Sequence, residues 1–140
     1  MRALIIAALC LLSAVAVGEP SAPASGDALA QQLFPPELVM KYRQDIGFDD
    51  VQSKQLKDLV VHAQSHFLDL QWDLQSEAGK LADMLRPARV DESAAIAQAD
   101  RVLALERQVK EAQLTLLIRI KNLLSTAQQD KLAALRGRTP

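Results

Sequence analysis

The chain has 140 residues, with 16 Lys or Arg and 17 Asp or Glu, so its net charge is −1. This length suits one domain, and the lack of a dense basic block argues against a nucleic-acid partner. Its one cysteine, Cys10, lies in an apolar N-terminal run. Removal of that run would leave no thiol for catalysis, metal binding or a disulfide.

Residues 1–18 have the layout of a secretory signal peptide. Arg2 precedes an apolar run over residues 3–17, and small residues follow up to Gly18. We therefore expect cleavage near Gly18 and a periplasmic protein with no membrane span after cleavage. An uncleaved N-terminal anchor is the alternative, although the run is shorter than the roughly 20 residues that span a bilayer.

The segments at the two ends of the remaining chain are not expected to fold. Residues 19–33 are rich in Pro, Ala, Ser and Gly, which predicts a flexible tether, and residues 137–140 are predicted to be a disordered tail. The folded domain should therefore cover residues 34–136. Its aromatic residues are few, and the strand pattern is almost absent, so the sequence predicts an all-α fold.

Four helices are predicted in this domain. Pro36 opens a short first helix, and Gly47 ends it. A long helix follows from about residue 49 to residue 86, where Pro87 stops it. Asp91 caps a second long helix, and a short last helix closes the domain.

Two capping boxes mark helix starts. In the first box, Asp49 is the N-cap and Gln52, three residues on, is its partner; in the second, Ser125 and Gln128 repeat the arrangement. A large apolar residue precedes each box, which suits a hydrophobic staple. These two residues are Phe48 and Leu124.

Apolar seams along the two long helices predict an antiparallel hairpin. The seam residues alternate steps of four and three, with Glu77 as the one polar interruption in the first helix. The connection between the helices is short, which favours antiparallel packing. The seam of the first helix is Leu56, Val60, Ala63, Phe67, Leu70, Leu74, Leu81 and Met84, and that of the second is Val102, Leu105, Val109, Ala112, Leu116 and Leu123.

Apolar residues also occur outside the seams. Residues 114–124 are apolar almost all round the helix, with Leu114, Leu117 and Ile118 among them, and such a helix is normally buried on several sides. Trp72 falls on the far side of its helix from the seam. A second subunit and the short end helices would cover these residues; the alternative is a surface for hydrophobic clients or a partner protein.

Both histidines of the chain fall on one flank of the first long helix. Their spacing of four residues allows both imidazoles to bind one divalent ion, with a carboxylate and a ligand from the facing helix or a second subunit completing the site. Zn, Cu, Ni or Co would suit these ligands. The predicted ligands are His62, His66, Asp69 and Asp73.

The alternative is that this flank is an ordinary polar border of the hairpin. In that case Arg101, Arg107 or Lys110 on the facing helix would form ion pairs with Asp69 and Asp73, each contributing about 0–1 kcal/mol if exposed. No metal is then required.

The sequence resembles the Spy/CpxP-like periplasmic proteins and their heavy-metal-resistance relatives, the ZraP-type and CnrX-type proteins. Their hallmark is a pair of Leu-Thr-x-x-Gln boxes, which here take the forms FDDVQ (48–52) and LSTAQ (124–128). The segment GKLADML (79–85) also resembles the metal-resistance branch. The resemblance spans residues 34–136 and implies a long helical hairpin with short flanking helices that forms an antiparallel dimer.

The family resemblance implies three roles: an ATP-independent chaperone, an adaptor that restrains a sensor kinase, or a metal sensor or buffer. The metal-binding positions of the CnrX-type sensors correspond here to Val39, Arg43, Leu116 and Ile120, and none of these residues can bind a divalent ion. That sensor site is therefore not expected in this chain.

The sequence does not indicate an enzyme, because it has no glycine-rich phosphate-binding loop and no paired carboxylates with a plausible cleft. We therefore expect a stress or metal-resistance accessory protein that acts by binding. Its expected partners are a second copy of itself, unfolded polypeptide clients or a membrane sensor protein. The competing hypothesis is a periplasmic heavy-metal sensor or buffer that uses His62 and His66.

Overall fold

The computed structural model describes residues 29–137, which form helices and no strand. The predicted signal peptide, residues 19–28 of the predicted tether and residues 138–140 of the predicted tail lie outside this range. The helices are α1 (Pro36–Lys41), α2 (Asp50–Leu85), α3 (Glu92–Leu123) and α4 (Thr126–Arg136). The two long helices, α2 and α3, pack against each other as a hairpin, so the predicted all-α fold is confirmed.

The long helices begin and end where the caps predict. The side chain of Asp49 accepts a hydrogen bond from the Gln52 backbone N–H at 2.7 Å, and the Asp91 side chain accepts one from the Ala94 N–H at 3.0 Å. Ser125 and Gln128 form the second capping box at the start of α4. Each cap satisfies N–H groups that the first turn of a helix leaves without an internal partner.

The two capping boxes also bind each other. The side-chain amides of Gln52 and Gln128 form a reciprocal pair, in which each Nε2 donates to the other's Oε1 at 2.9 Å. The Gln52 Nε2 also donates to the Leu123 carbonyl at 3.0 Å, and that of Gln128 to the Gly47 carbonyl at 3.3 Å. We call this set of contacts the glutamine pair. It fixes the start of α2 to the start of α4.

The seams of the hairpin are confirmed residue by residue, since every predicted seam residue is buried or half-buried. The polar interruption lies in the seam as well. Glu77 meets Gln98 of α3, whose Nε2 donates to the Glu77 carbonyl at 2.9 Å and to its carboxylate at 2.7 Å. This contact shows which residues of the two antiparallel helices lie at the same level.

The core is concentrated at the open end of the hairpin, where α1 and α4 pack. Val39, Ile120 and Leu132 have no exposed surface there. Ile120 lies outside the predicted seam, and it is buried because the end helices cover this side of α3. The rest of the core cluster is Phe34, Ile46, Leu56 and Leu124.

The first helix is shorter than the sequence predicted. α1 ends at Lys41, and turns continue to Gly47, whose φ of 65° is in the left-handed region that favours glycine. Within these turns Ile46 enters the core with 3% exposure. These turns replace the predicted last part of the helix and place Ile46 in the core before the chain enters α2.

Residues 29–33, which the sequence assigned to the tether, lie against the domain. The Arg136 guanidinium donates to the carbonyls of Ala30, Gln31 and Leu33, and Lys121 Nζ donates to the carbonyl of Gln32 at 2.9 Å. The folded unit therefore extends several residues beyond the predicted boundary at residue 34. Sequence composition missed this because the partners of these carbonyls lie at the other end of the chain.

Candidate functional site

The hairpin has two faces of different chemistry, and the seams define them. A residue that follows a seam residue lies about 100° to one side of it, and a residue that precedes one lies to the other side. Because α2 and α3 run in opposite directions, the residues that follow the two seams share one face. Val61 and Leu68 therefore lie on one face of α2, and His62 and His66 lie on the other.

The face that carries the histidines holds a groove between the two long helices. A cavity of about 450 Å³ is lined by both histidines on α2 and by Glu111 and Arg119 on α3. A second cavity of about 500 Å³ shares His62 and Arg119 with the first, so the two are parts of one groove. We call it the histidine groove. Its other polar lining residues are Gln55, Asp58, Gln108, Thr115 and Asn122.

The four predicted metal ligands are not brought together. Asp69 and Asp73 are exposed and line neither cavity. Over residues 29–137, no three His, Cys, Asp or Glu side chains form a group that could hold a metal ion. Two other carboxylates line the groove instead: Glu111 of the facing helix lies with both histidines, and Asp58 of α2 lies with His62.

The predicted ion pairs across the hairpin are not formed. Among the described residues, the ion pairs all lie within single helices. Arg107 pairs with Glu111 of its own helix at 3.7 Å, and Arg101 donates to Gln98 at 3.4 Å. Asp69 and Asp73 are exposed and form no ion pair with these cations.

The opposite face carries large apolar side chains in water, and we call it the apolar face. Val61 and Leu68 of α2 are 56% and 53% exposed, and Ile96 and Leu103 of α3 are 58% and 59% exposed. Leu117 continues the stripe of α3 and is half-buried. Four exposed aliphatic side chains on one side of a hairpin are unusual unless something covers them.

The other predicted surface residues are divided between the faces. Trp72, 64% exposed, and Leu114, 44% exposed, lie on the outer sides of their helices, away from the seam. Ile118, 43% exposed, follows Glu111 by seven residues and so lies on the histidine side. The predicted partner surface of Trp72, Leu114, Leu117 and Ile118 is thus not one patch.

Charge is also divided between the faces. The residues that precede the seams include the carboxylates of Asp69, Asp73, Asp83 and Glu111, against the cations of Lys80 and Arg101. On the apolar face, three lysines and three acidic residues follow the same register, so their charges balance. The charged residues of the apolar face are Lys54, Lys57, Lys110, Asp50, Glu92 and Glu106.

The polar contact within the seam has its own electrostatics. Hydrogen bonds from Lys80 and then from Gln98 hold the pKa of the Glu77 carboxyl below its ordinary value. A lowered pKa keeps the carboxylate charged, and the stability that it provides is present at neutral pH and lost as the pH falls through that pKa. Glu77 is therefore an anionic member of an otherwise apolar seam at neutral pH.

Comparison with known proteins gives no relative. No protein-family model, no curated protein and no solved structure matches the chain. None of the helices in residues 29–137 combines the length and the apolar character needed to span a bilayer.

Proposed function

We propose that the protein is a periplasmic stress or metal-resistance accessory protein of the Spy/CpxP type, which acts by binding. In this proposal the apolar face holds unfolded polypeptide or a segment of a membrane sensor protein, without ATP. The chain works as an antiparallel homodimer, in which the exposed Trp72 is a contact between subunits. No step requires a cofactor or an enzymatic reaction.

The main observation that supports this proposal is the exposure of the apolar face to water. Val61, Leu68, Ile96 and Leu103 are each more than half exposed, and they flank a seam that is already filled by other side chains. Burying such a side chain fully contributes about 1.5–3 kcal/mol, so a partner that covers several of them gains substantial affinity.

A client-protection assay tests this function. At equimolar protein, aggregation of reduced, unfolded lysozyme should be suppressed, and replacing Leu68 and Leu103 together by serine should reduce the suppression several-fold, because both side chains are exposed on the apolar face. The readout is light scattering over time.

The matched control is Ile118→Ser, which removes an exposed apolar side chain from the histidine side and should leave suppression unchanged. If the parent protein does not suppress aggregation at all, the client-binding function is wrong.

A second function, heavy-metal sensing or buffering, is favoured by the histidine groove. His62 and His66 both line it, and Glu111 lines it from the facing helix. Two imidazoles and one carboxylate are suitable ligands for Zn, Cu, Ni or Co. As placed, these three side chains do not form a group that could hold an ion, so in this proposal Glu111 leaves Arg107, its ion-pair partner, and closes on the two histidines in place of Asp69 and Asp73.

Calorimetry with zinc chloride, and with the corresponding copper, nickel and cobalt salts, tests the metal hypothesis. One ion should bind per chain, and the double replacement His62→Ala with His66→Ala should abolish binding. Glu111→Ala should weaken binding by about tenfold or more, in the range seen for groups that support a metal site, whereas Asp69→Ala should have no effect. The absence of saturable binding to the parent protein would refute this function.

A further inference from the structure

Two cations from the other end of the chain hold the segment that precedes α1. Residues 29–31 are helical and a turn follows, so most carbonyls at this end lack a partner within the turn itself. The Arg136 guanidinium donates to three carbonyls of residues 30–33, and Lys121 Nζ donates to the fourth, that of Gln32, at 2.9 Å. Charged donors make such hydrogen bonds stronger than neutral donors do.

The next residue, Phe34, anchors this segment in the core. Its side chain is 4% exposed and belongs to the core cluster at the open end of the hairpin, together with Leu132 of α4. The Arg136 guanidinium lies over the ring, 5.2 Å from its centroid, which is a cation–π contact. We call residues 29–34 the strap. Arg136 therefore contacts both the carbonyls and the aromatic ring of the strap.

The strap is joined to the rest of the domain by few polar contacts. The backbone hydrogen bonds of its own residues are internal, and those at the start of α1 begin at the Pro35 carbonyl, so α1 does not need the strap in order to form. Within residues 29–137, the hydrogen bonds that join the strap to other elements come from Arg136 and Lys121. The strap is thus a separate unit that depends on these two side chains.

The strap cannot be stable by itself. A helix of one turn is marginal in water, and this one buries little apolar surface. Leu29 is 60% exposed, residues 30–32 are exposed, and only Leu33 and Phe34 are covered in part or in full. Segments with few buried apolar contacts and exposed backbone open at a lower free energy than the core of a protein does.

We propose that the strap is a conformational device held shut by Arg136, which opens while the hairpin stays folded and, in opening, exposes the apolar end of the core. When the strap leaves, Phe34 is withdrawn, and the surface that it covered within the core cluster meets water. The chain then has a second apolar surface, at the open end of the hairpin. This inference goes beyond the proposed function, which concerns the apolar face.

Native-state hydrogen exchange, read by mass spectrometry, tests the opening of the strap. With Arg136→Gln, the N–H groups of Gln32 and Leu33 should exchange about tenfold faster or more, whereas those in the middle of α2 should change by less than about twofold. Lys121→Gln removes one of the four carbonyl contacts, so it should accelerate exchange of the strap by a smaller factor than Arg136→Gln does.

Lys131→Gln is the matched control. Lys131 is an exposed cation of the same helix as Arg136, and its side chain makes no ion pair or hydrogen bond within residues 29–137. Its replacement should leave exchange of the strap at the rate of the parent protein. Circular dichroism at 222 nm should be the same for all variants, because α1 to α4 remain folded when the strap opens.

A dye that binds exposed apolar surface, such as ANS, reports whether opening uncovers the core. Its fluorescence should rise several-fold with Arg136→Gln and stay at the level of the parent protein with Lys131→Gln. Faster exchange of the strap without this rise would overturn the exposure of the core.

Two exchange results would overturn the proposal as a whole. Equal acceleration in the strap, α2 and α4 would show that Arg136 supports the entire domain, so that the strap does not open by itself. Unchanged exchange of the strap would show that Arg136 does not hold it. Neither result bears on the client-protection assay, which measures the apolar face, so the proposed function would stand.

Discussion

Replacing Gln128 by alanine is expected to lower the free energy of unfolding by about 3 kcal/mol. The side chain is 8% exposed, and it makes contacts with Gln52, Gly47 and Ser125. Its loss isolates the half-buried side-chain amide of Gln52, at a cost of about 1–3 kcal/mol for an unsatisfied buried group, and also removes the partners of the Ser125 N–H and the Gly47 carbonyl. Urea unfolding followed by circular dichroism measures the change.

Gln64→Ala serves as the matched control, because Gln64 is an exposed glutamine of α2 and should change stability by less than about 0.5 kcal/mol. The glutamine pair also predicts strong coupling. The double variant Gln52→Ala with Gln128→Ala should lose clearly less than the sum of the two single losses, because the second change removes a partner that the first has already isolated. Additive losses would show that the two boxes act independently.

Replacing Leu132 by alanine is expected to cost about 2–5 kcal/mol, the range for buried leucines. Leu132 has no exposed surface and belongs to the core cluster at the open end of the hairpin. Truncation leaves a cavity among Val39, Ile120 and their neighbours, and α4 has only 11 residues with which to reorganise. Thermal or urea unfolding measures the loss, and hydrogen exchange should report faster opening of α4 than of the middle of α2.

Leu103→Ala is the control for this second prediction. Leu103 is 59% exposed on the apolar face, so the same truncation should cost less than about 0.5 kcal/mol. A similar loss at both positions would mean that the apolar face is covered in solution. A loss at neither position would mean that α4 does not pack on the hairpin.

Local features of the fold could be predicted from the sequence. Helical periodicity predicted each seam residue from Leu56 to Met84, including the polar Glu77, because side chains three and four residues apart share a face of a helix. The caps at Asp49, Asp91 and Ser125 could be predicted because a cap bonds to residues two or three positions away. These interactions depend on short stretches of chain.

Non-local features could not be predicted in this way. Gln52 and Gln128 were each recognised as a cap, but their bond to each other joins residues 76 positions apart. Arg136 binds the carbonyls of residues 30, 31 and 33, which lie 103 to 106 positions away, and composition alone assigned those residues to the tether. The pairing of Asp69 and Asp73 with cations of α3 does not form, because helical periodicity gives the side of the hairpin on which a residue lies but not which side chains of the facing helix come within reach.

The candidate site was predicted only in part. The histidine spacing indicated the side of α2 on which the groove lies. That Glu111 and Arg119 also line the groove follows only from the position of α3 in the structure. The apolar face could be recognised in the sequence. Its residues on α3, from Ile96 to Leu117, recur every seven residues and each follows a seam position by one. A search for a second periodic stripe on each helix, beyond the main seam, would have found it.

The contact between Glu77 and Gln98 has a consequence for how the hairpin can misassemble. Two long helices with repeating apolar residues can slide past each other by one heptad and still bring apolar side chains together. Slipped by seven residues towards α3's C terminus, Glu77 would meet Leu105, and Gln98 would meet Met84. Both polar groups would then be buried among hydrocarbon without partners. The pair thus selects one alignment of the two helices against its neighbours, as single polar residues do in coiled coils.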